Sequence, residues 1–178
     1  GDAEGQEIIL KGCFASNGEG KLNLPFENRY IAVPRGAKVS VEVKEKASQT
    51  LQGIELLPAA RLQMNNEDRS PALHWDMSVY GTDINYPAEN VTVAKTTQIR
   101  GLDVALLNVT PFRYNPIQKT LEVIYDMDIE VRFEGGDGQF GDPRYRNPAW
   151  DGILRDLVIN SDMLSEAHSY ERLNDTVQ

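Results

Sequence analysis

Residues 120–134 read TLEVIYDMDIEVRFE, and this stretch decides the fold class. Leu121, Val123, Tyr125, Met127, Ile129, Val131 and Phe133 fall on one side of an extended chain. Glu122, Asp126, Asp128, Glu130, Arg132 and Glu134 fall on the other, with Ile124 the one exception. A strict period of two is the signature of a β-strand with one covered and one wet face. One polar face of this length belongs in an antiparallel sheet.

Working outward, Lys38–Lys46 (KVSVEVKEK) repeats the pattern, with Val39, Val41 and Val43 against Ser40, Glu42 and Lys44. Gly101–Phe112 (GLDVALLNVTPF) differs. Leu102, Val104 and Leu106 lie on one face, and Ala105, Leu107 and Val109 on the other. Apolar residues on both faces place it centrally in a sheet. Tyr114-Asn115-Pro116 turns this strand into the long one, since proline cannot donate to a ladder. Further strands are expected at Glu7–Cys13, Asn28–Val33, Leu51–Leu57 and Asn90–Val93, with Pro34-Arg35-Gly36 as a turn. Many short strands with Gly/Pro punctuation and no helical period predict an all-β antiparallel β-sandwich, jelly-roll or immunoglobulin-like. The expected core is Val39, Val41, Val43, Leu102, Val104, Leu106, Val123, Tyr125, Ile129 and Val131.

Two stretches depart from strand patterning. Pro58–Tyr86 carries few periodic positions, and a loop of that length is usually functional or mobile. Gly135 opens a run, GGDGQFGDPRYRNP, with the composition of a linker. After it Trp150, Ile153, Leu154, Leu157 and Val158 recur at helical spacing, giving a short amphipathic helix or docking segment. The expected organisation is therefore a β-sandwich over 1–134 and a linker and connector over 135–178.

Composition excludes several functions. The chain of 178 residues holds 18 Lys+Arg against 27 Asp+Glu, a net charge of −9. No dense basic run offers a phosphate-binding face, so no nucleic acid is expected as partner. No apolar stretch is long enough to span a bilayer, so no membrane insertion is expected. Gly1-Asp2-Ala3 reads as the start of a trimmed chain and says nothing about a leader. One cysteine and two histidines exclude a disulfide and any multi-cysteine or three-histidine metal site. Cys13 with His74 or His168 is the single thiol–imidazole combination. Its flanks, ILKGCF, are strand-like, and an inert buried thiol is the expected reading. Asp137 and Asp142 offer oxygen ligands for calcium, but their spacing does not match a calcium loop, and a plain linker is favoured. Asp126, Asp128 and Glu130 are explained by alternation alone. Three Asn-x-Thr triplets, at Asn90, Asn108 and Asn174, are common by chance. No catalytic residue, metal or cofactor is expected from the residues.

The middle of the chain resembles a known family. Pro25–Ala59 is similar to the first half of the propeptide of gingipain-type cysteine peptidases, with Val33-Pro34-Arg35-Gly36-Ala37 and Leu57-Pro58-Ala59 in the family's order. DINYPAENVTV (Asp83–Val93) resembles its "YP" element. Arg100–Phe133 is similar to its closing strands, with Arg100-Gly101 and Pro111-Phe112-Arg113-Tyr114-Asn115-Pro116 the more specific parts. Ile153–Leu164 resembles the segment leading toward the catalytic domain. The resemblance implies a secreted or cell-surface/periplasmic precursor in which a β-sandwich propeptide keeps the peptidase latent and aids its folding. It also implies a partner, the cysteine-peptidase catalytic domain of the same precursor. In that family a basic propeptide residue occupies the specificity pocket. By location alone, Arg61, Arg69 and Lys95 are the candidates. The alternative is a non-enzymatic binding or adhesion module of a bacterial surface protein.

Overall fold

The computed structural model describes residues 5–11, 19–59 and 73–166. Six strands run in chain order: β1 (Glu27–Ala32), β2 (Ala37–Gln52), β3 (Val91–Ile99), β4 (Leu102–Val109), β5 (Phe112–Asn115) and β6 (Thr120–Gly135). Two helices, α1 (Met77–Tyr80) and α2 (Pro148–Leu157), are followed by a 3-10 turn at Ser161–Met163. The strands form two three-stranded antiparallel sheets, ordered β1-β4-β3 and β2-β6-β5. β4, apolar on both faces, is the central strand of its sheet, as its composition predicts. The β5–β6 hairpin pairs Phe112 with Val123, Tyr114 with Leu121 and Asn115 with Thr120.

Its turn is built by Asn115. The side-chain oxygen accepts from the backbone N–H of Ile117 and Gln118, a local bond that bends the chain without glycine. Between β1 and β2 the Pro34-Arg35-Gly36 turn closes with the Ala37 N–H donating to the Pro34 carbonyl at 2.9 Å.

By contacts the described residues belong to two units. The first draws on Gly1–Asn28, Val41–Thr92 and Asn108–Glu130. Its core is Leu22, Leu24, Leu56, Phe112, Tyr114 and Leu121. The Tyr114 hydroxyl donates to the Ile54 carbonyl at 2.7 Å, so its one polar atom is satisfied. The second unit draws on Arg29–Ser40, Val93–Leu107 and Val131–Gln178. Its core is Ala32, Leu102, Val104, Leu154, Val158 and Leu164.

Residues 135–166 contribute to that second core. Asn147 caps α2 by accepting from the Ala149 N–H at 2.9 Å, and Pro148 takes the first helical position. Leu154 is buried. Past the helix, Val158 bridges Tyr30 in parallel fashion. Asn160 then donates to the Ala32 carbonyl and accepts from the Ala32 N–H. The bridge at Val158 and the side-chain amide of Asn160 together cover the free edge of β1, which would otherwise be open to another chain.

Several expectations are corrected. Tyr125 is 73% exposed, while Ile124, the exception to the alternation, is buried, its N–H donating to the Pro111 carbonyl. Val39, Val41, Val43, Leu106, Val123, Ile129 and Val131 are half-buried. A strand of sixteen residues is about 50 Å long, longer than a single core can cover, so alternation names the inward face without fixing where along it a cover lies. Of the strand expected at Glu7–Cys13, the described part, residues 7–11, forms no strand, and the nearest pairing is the bridge from Gln6 to Leu56. That expected at Leu51–Leu57 is the end of β2 followed by isolated bridges.

Candidate functional site

The aperiodic stretch after Pro58 is framed by the first unit. Arg61 and Arg69 lie outside the described residues, but both ends of the segment that carries them are visible. Leu22 bridges Pro58, and the Ala59 N–H donates to the Lys21 carbonyl at 2.8 Å. Gly20 then joins the two ends. Its N–H donates to the Ala59 carbonyl at 3.0 Å, and its carbonyl accepts from the Asp76 N–H at 2.9 Å. Gly20 has φ +83°, and a Cβ there would stand 3.1 Å from the His74 carbonyl oxygen and 3.3 Å from the Asp76 nitrogen. Both the backbone angle and the crowding require glycine.

On the far side, Asp76 caps α1 by accepting from the Ser78 N–H at 3.0 Å and its hydroxyl at 2.6 Å. Val79 and Tyr80 then pack on the first core, with the Tyr80 hydroxyl donating to the Leu56 carbonyl. Burial, and next the neighbouring Tyr114, raise the Tyr80 hydroxyl above its ordinary pKa, so it stays a neutral donor. Lys95 is placed differently. β3 starts at Val91, so Lys95 is an exposed residue in the middle of a strand and not part of the preceding loop.

The thiol–imidazole combination leaves little to describe. Cys13 and His168 lie outside the described residues, and His74 is exposed. Among the described residues no group of three His, Cys, Asp or Glu side chains is arranged to hold a metal ion. The two carboxylates considered for calcium are taken by guanidinium groups. Asp137 accepts from Arg35 Nε at 2.7 Å. Asp142, buried, accepts from Arg144 Nη2 at 2.6 Å and Arg35 Nη1 at 3.2 Å.

Arg144, through its side chain first and then its backbone N–H, holds the Asp142 carboxyl down to about 2. A depressed carboxylate contributes stability that is whole above the ordinary value near ~3.9 and is lost as pH falls through the folded-state value. Stability of the wild type is therefore expected to fall more steeply than that of Asp142→Asn between about pH 4 and pH 2. Urea denaturation across that range measures the difference, and parallel curves would refute the assignment.

The residues that carry the sequence motifs have structural duties. Arg100 and Gly101, at φ 48° and 77°, form the tight turn of the β3–β4 hairpin. Phe112 and Tyr114 are core residues, and Asn115, which builds the next turn, also donates to Asp83. Asn90, the first residue of one Asn-x-Thr triplet, is buried with its amide donating to the Thr110 carbonyl. No helix among the described residues is long and apolar enough to cross a membrane.

The motif residues are thus spent on the turns and cores of a mostly β scaffold. The family model Propeptide_C25 matches residues 2–140, and the chain belongs to that propeptide family; it is a non-catalytic domain. Lys-gingipain HG66 of Porphyromonas gingivalis is 26% identical over 136 residues, covering 73% of this chain and 8% of that protein. Gingipain R1 of the same organism is 25% identical over 113 residues, 64% of this chain and 11% of its own length. The chain thus spans under an eighth of these relatives. The solved complex of Porphyromonas gingivalis RgpB pro- and mature domains superposes with a TM-score of 0.72 at 21% identity, covering 84% of this chain and 76% of that one. A structure addressing the zymogenic latency of gingipain K gives 0.56 at 24% identity, covering 70% and 71%. The family assignment displaces the adhesion-module alternative.

Proposed function

We propose that this chain is the latency-maintaining propeptide of a gingipain-like cysteine endopeptidase, binding the catalytic domain of its own precursor and aiding its folding. The observation that carries this reading is the propeptide-family match over residues 2–140. The likeness of fold to a prodomain solved with its mature domain agrees with it. We assign the precursor to the secreted or cell-surface/periplasmic class, which its gingipain relatives support in general terms. Residues 1–134 carry the inhibitory sandwich, and 135–178 lead toward the catalytic domain while packing on the second core as far as Leu164. While the two remain on one chain, tethering supplies a high effective concentration, so a modest interface holds until the connector is cut.

Arg61 and Arg69 are the favoured pocket-filling residues, because the segment bearing them springs from a base closed on Gly20. A preformed base lowers the ordering cost of binding. Lys95, on β3, is the third candidate. The 178-residue chain, added to the separately produced peptidase domain, is expected to inhibit at micromolar concentration. Among Arg61→Ala, Arg69→Ala and Lys95→Ala, one is expected to weaken inhibition at least ~tenfold, about 1.4 kcal/mol, and the others to matter little. A wild-type chain that neither binds nor inhibits would remove the inhibitory role. Undiminished inhibition by the triple variant would remove the basic anchor alone.

A further inference from the structure

Helix α2 is amphipathic, yet its outward side carries a large apolar residue. Leu154 points into the second core, while Ala149, Gly152, Ile153 and Asp156 share the exposed face. Ile153 is 57% exposed, and beside it Trp150 is 40% exposed with the Arg100 guanidinium stacked 4.0 Å from its ring centre. Among the described residues Gly152 has no reason to be glycine. A Cβ built there meets nothing within 4 Å, and its φ is an ordinary one. Glycine in a helix interior weakens the helix relative to alanine. A bare backbone next to an exposed isoleucine is what a surface needs where another protein approaches closely.

The structure also shows what is held near that face. Arg146, Arg155 and Asp151 fasten the chain beside α2 just before it leaves the described residues. Arg146 Nη1 donates to the Ser165 carbonyl. Arg155 donates to the Ser161 carbonyl at 3.0 Å and the Ser165 carbonyl at 3.2 Å. Asp151 accepts from both guanidiniums. The chain is thereby held at the side of α2 up to Ser165, and a domain on the same chain shares the high effective concentration of a tethered partner.

We propose that the outward face of α2, centred on Gly152 and Ile153, is a docking surface for the peptidase domain of the same precursor. This rests on the propeptide reading above. A second copy of the chain is the poorer occupant, since two turns of one helix fall far short of the roughly 800 Å² per partner of a stable untethered interface. Tethering removes that requirement for the precursor's own domain.

The test compares the 178-residue chain with its Gly152→Ala and Ile153→Ser variants, measuring thermal midpoint and affinity for the separately produced peptidase domain. Gly152→Ala is expected to raise the midpoint and yet weaken binding at least tenfold. Ile153→Ser is expected to leave the midpoint unchanged and weaken binding similarly. A stabilised variant that binds worse has no explanation in a merely structural role. If both variants bind like a wild type that does bind, the docking surface is refuted while the propeptide reading stands. If sedimentation shows a wild-type dimer that Ile153→Ser dissociates, the occupant is a second copy and the proposal falls. A wild type that does not bind at all overturns both readings together.

Discussion

Replacing Asp151 with alanine is expected to cost about 3–5 kcal/mol, the loss typical of stranding a buried charge. The Arg146 side chain has no solvent exposure. Its Nη2 donates to Asp151 Oδ1, while its Nε has no hydrogen-bond partner among the described residues. Asp151 also accepts from Arg155 Nε at 2.7 Å. Two guanidiniums thus share one carboxylate. Burial, and next the charge of Arg155, already pull the Arg146 guanidinium below its ordinary value. Without Asp151 the burial penalty stands uncompensated, and the two cations repel. Exposed pairs such as Lys44–Glu42 are worth about 0–1 kcal/mol by comparison. A double variant, Asp151→Ala with Arg146→Met, separates attraction from desolvation. Removing both charges is expected to recover most of the loss, because an apolar pair of similar volume is often neutral or better. Urea unfolding of the wild type and these two variants measures this. A single-variant loss below about 1 kcal/mol would mean that water reaches Arg146, against its observed enclosure.

That network marks where sequence reading stopped. The strands were legible because a period of two survives without knowledge of partners, so β1, β2, β4 and β6 lie close to their expected places. Tyr125 was misplaced because alternation records a face and not its cover. The stretch after Gly135 was read as a linker from its glycines and prolines. Yet Asn160 pairs with the backbone of Ala32, and Leu154 is in a core. Those contacts join residues over a hundred positions apart, and no local period announces them. Arg146 carried no signal either, since a buried arginine looks in sequence like any surface charge.

The candidate site was legible only as a gap in patterning. The absence of period in Pro58–Tyr86 located the segment, and the family resemblance supplied its meaning. Gly20, which closes its base, gave no sign, because its two partners lie about forty and fifty-five residues further on, at Ala59 and Asp76. The motif residues misled in the opposite sense. Arg100-Gly101 and the run from Pro111 to Pro116 are the more specific parts of the family resemblance, which invites a functional reading. The structure spends them on two hairpin turns and a core instead.

The sharpest consequence falls on Gly101. Gly101→Ala is expected to destabilise the chain by about 2–5 kcal/mol, the sum of two separate effects. The first is conformational. At φ 77° an L side chain costs roughly 1–2 kcal/mol against the following carbonyl. The second is steric. A Cβ at Gly101 would stand 2.6 Å from the Tyr145 Cβ, and forcing atoms into a packed contact costs about 1–3 kcal/mol. Tyr145 cannot simply turn away, because the clash is with its first side-chain atom and its backbone is fixed. The Tyr145 N–H donates to the Asp142 carbonyl at 3.0 Å, and the Asp142 N–H donates to the Gly101 carbonyl at 2.8 Å. A double-mutant cycle divides the two effects. In a Tyr145→Gly background the Cβ contact is gone, so Gly101→Ala should then cost only the conformational part, about 1–2 kcal/mol. Chemical denaturation of the four proteins gives the coupling directly. A Gly101→Ala loss within about 0.5 kcal/mol of zero, the range of ordinary surface substitutions, would show that the β3–β4 turn is not left-handed at this position. Equal losses in both backgrounds would show instead that Tyr145 does not lie over it.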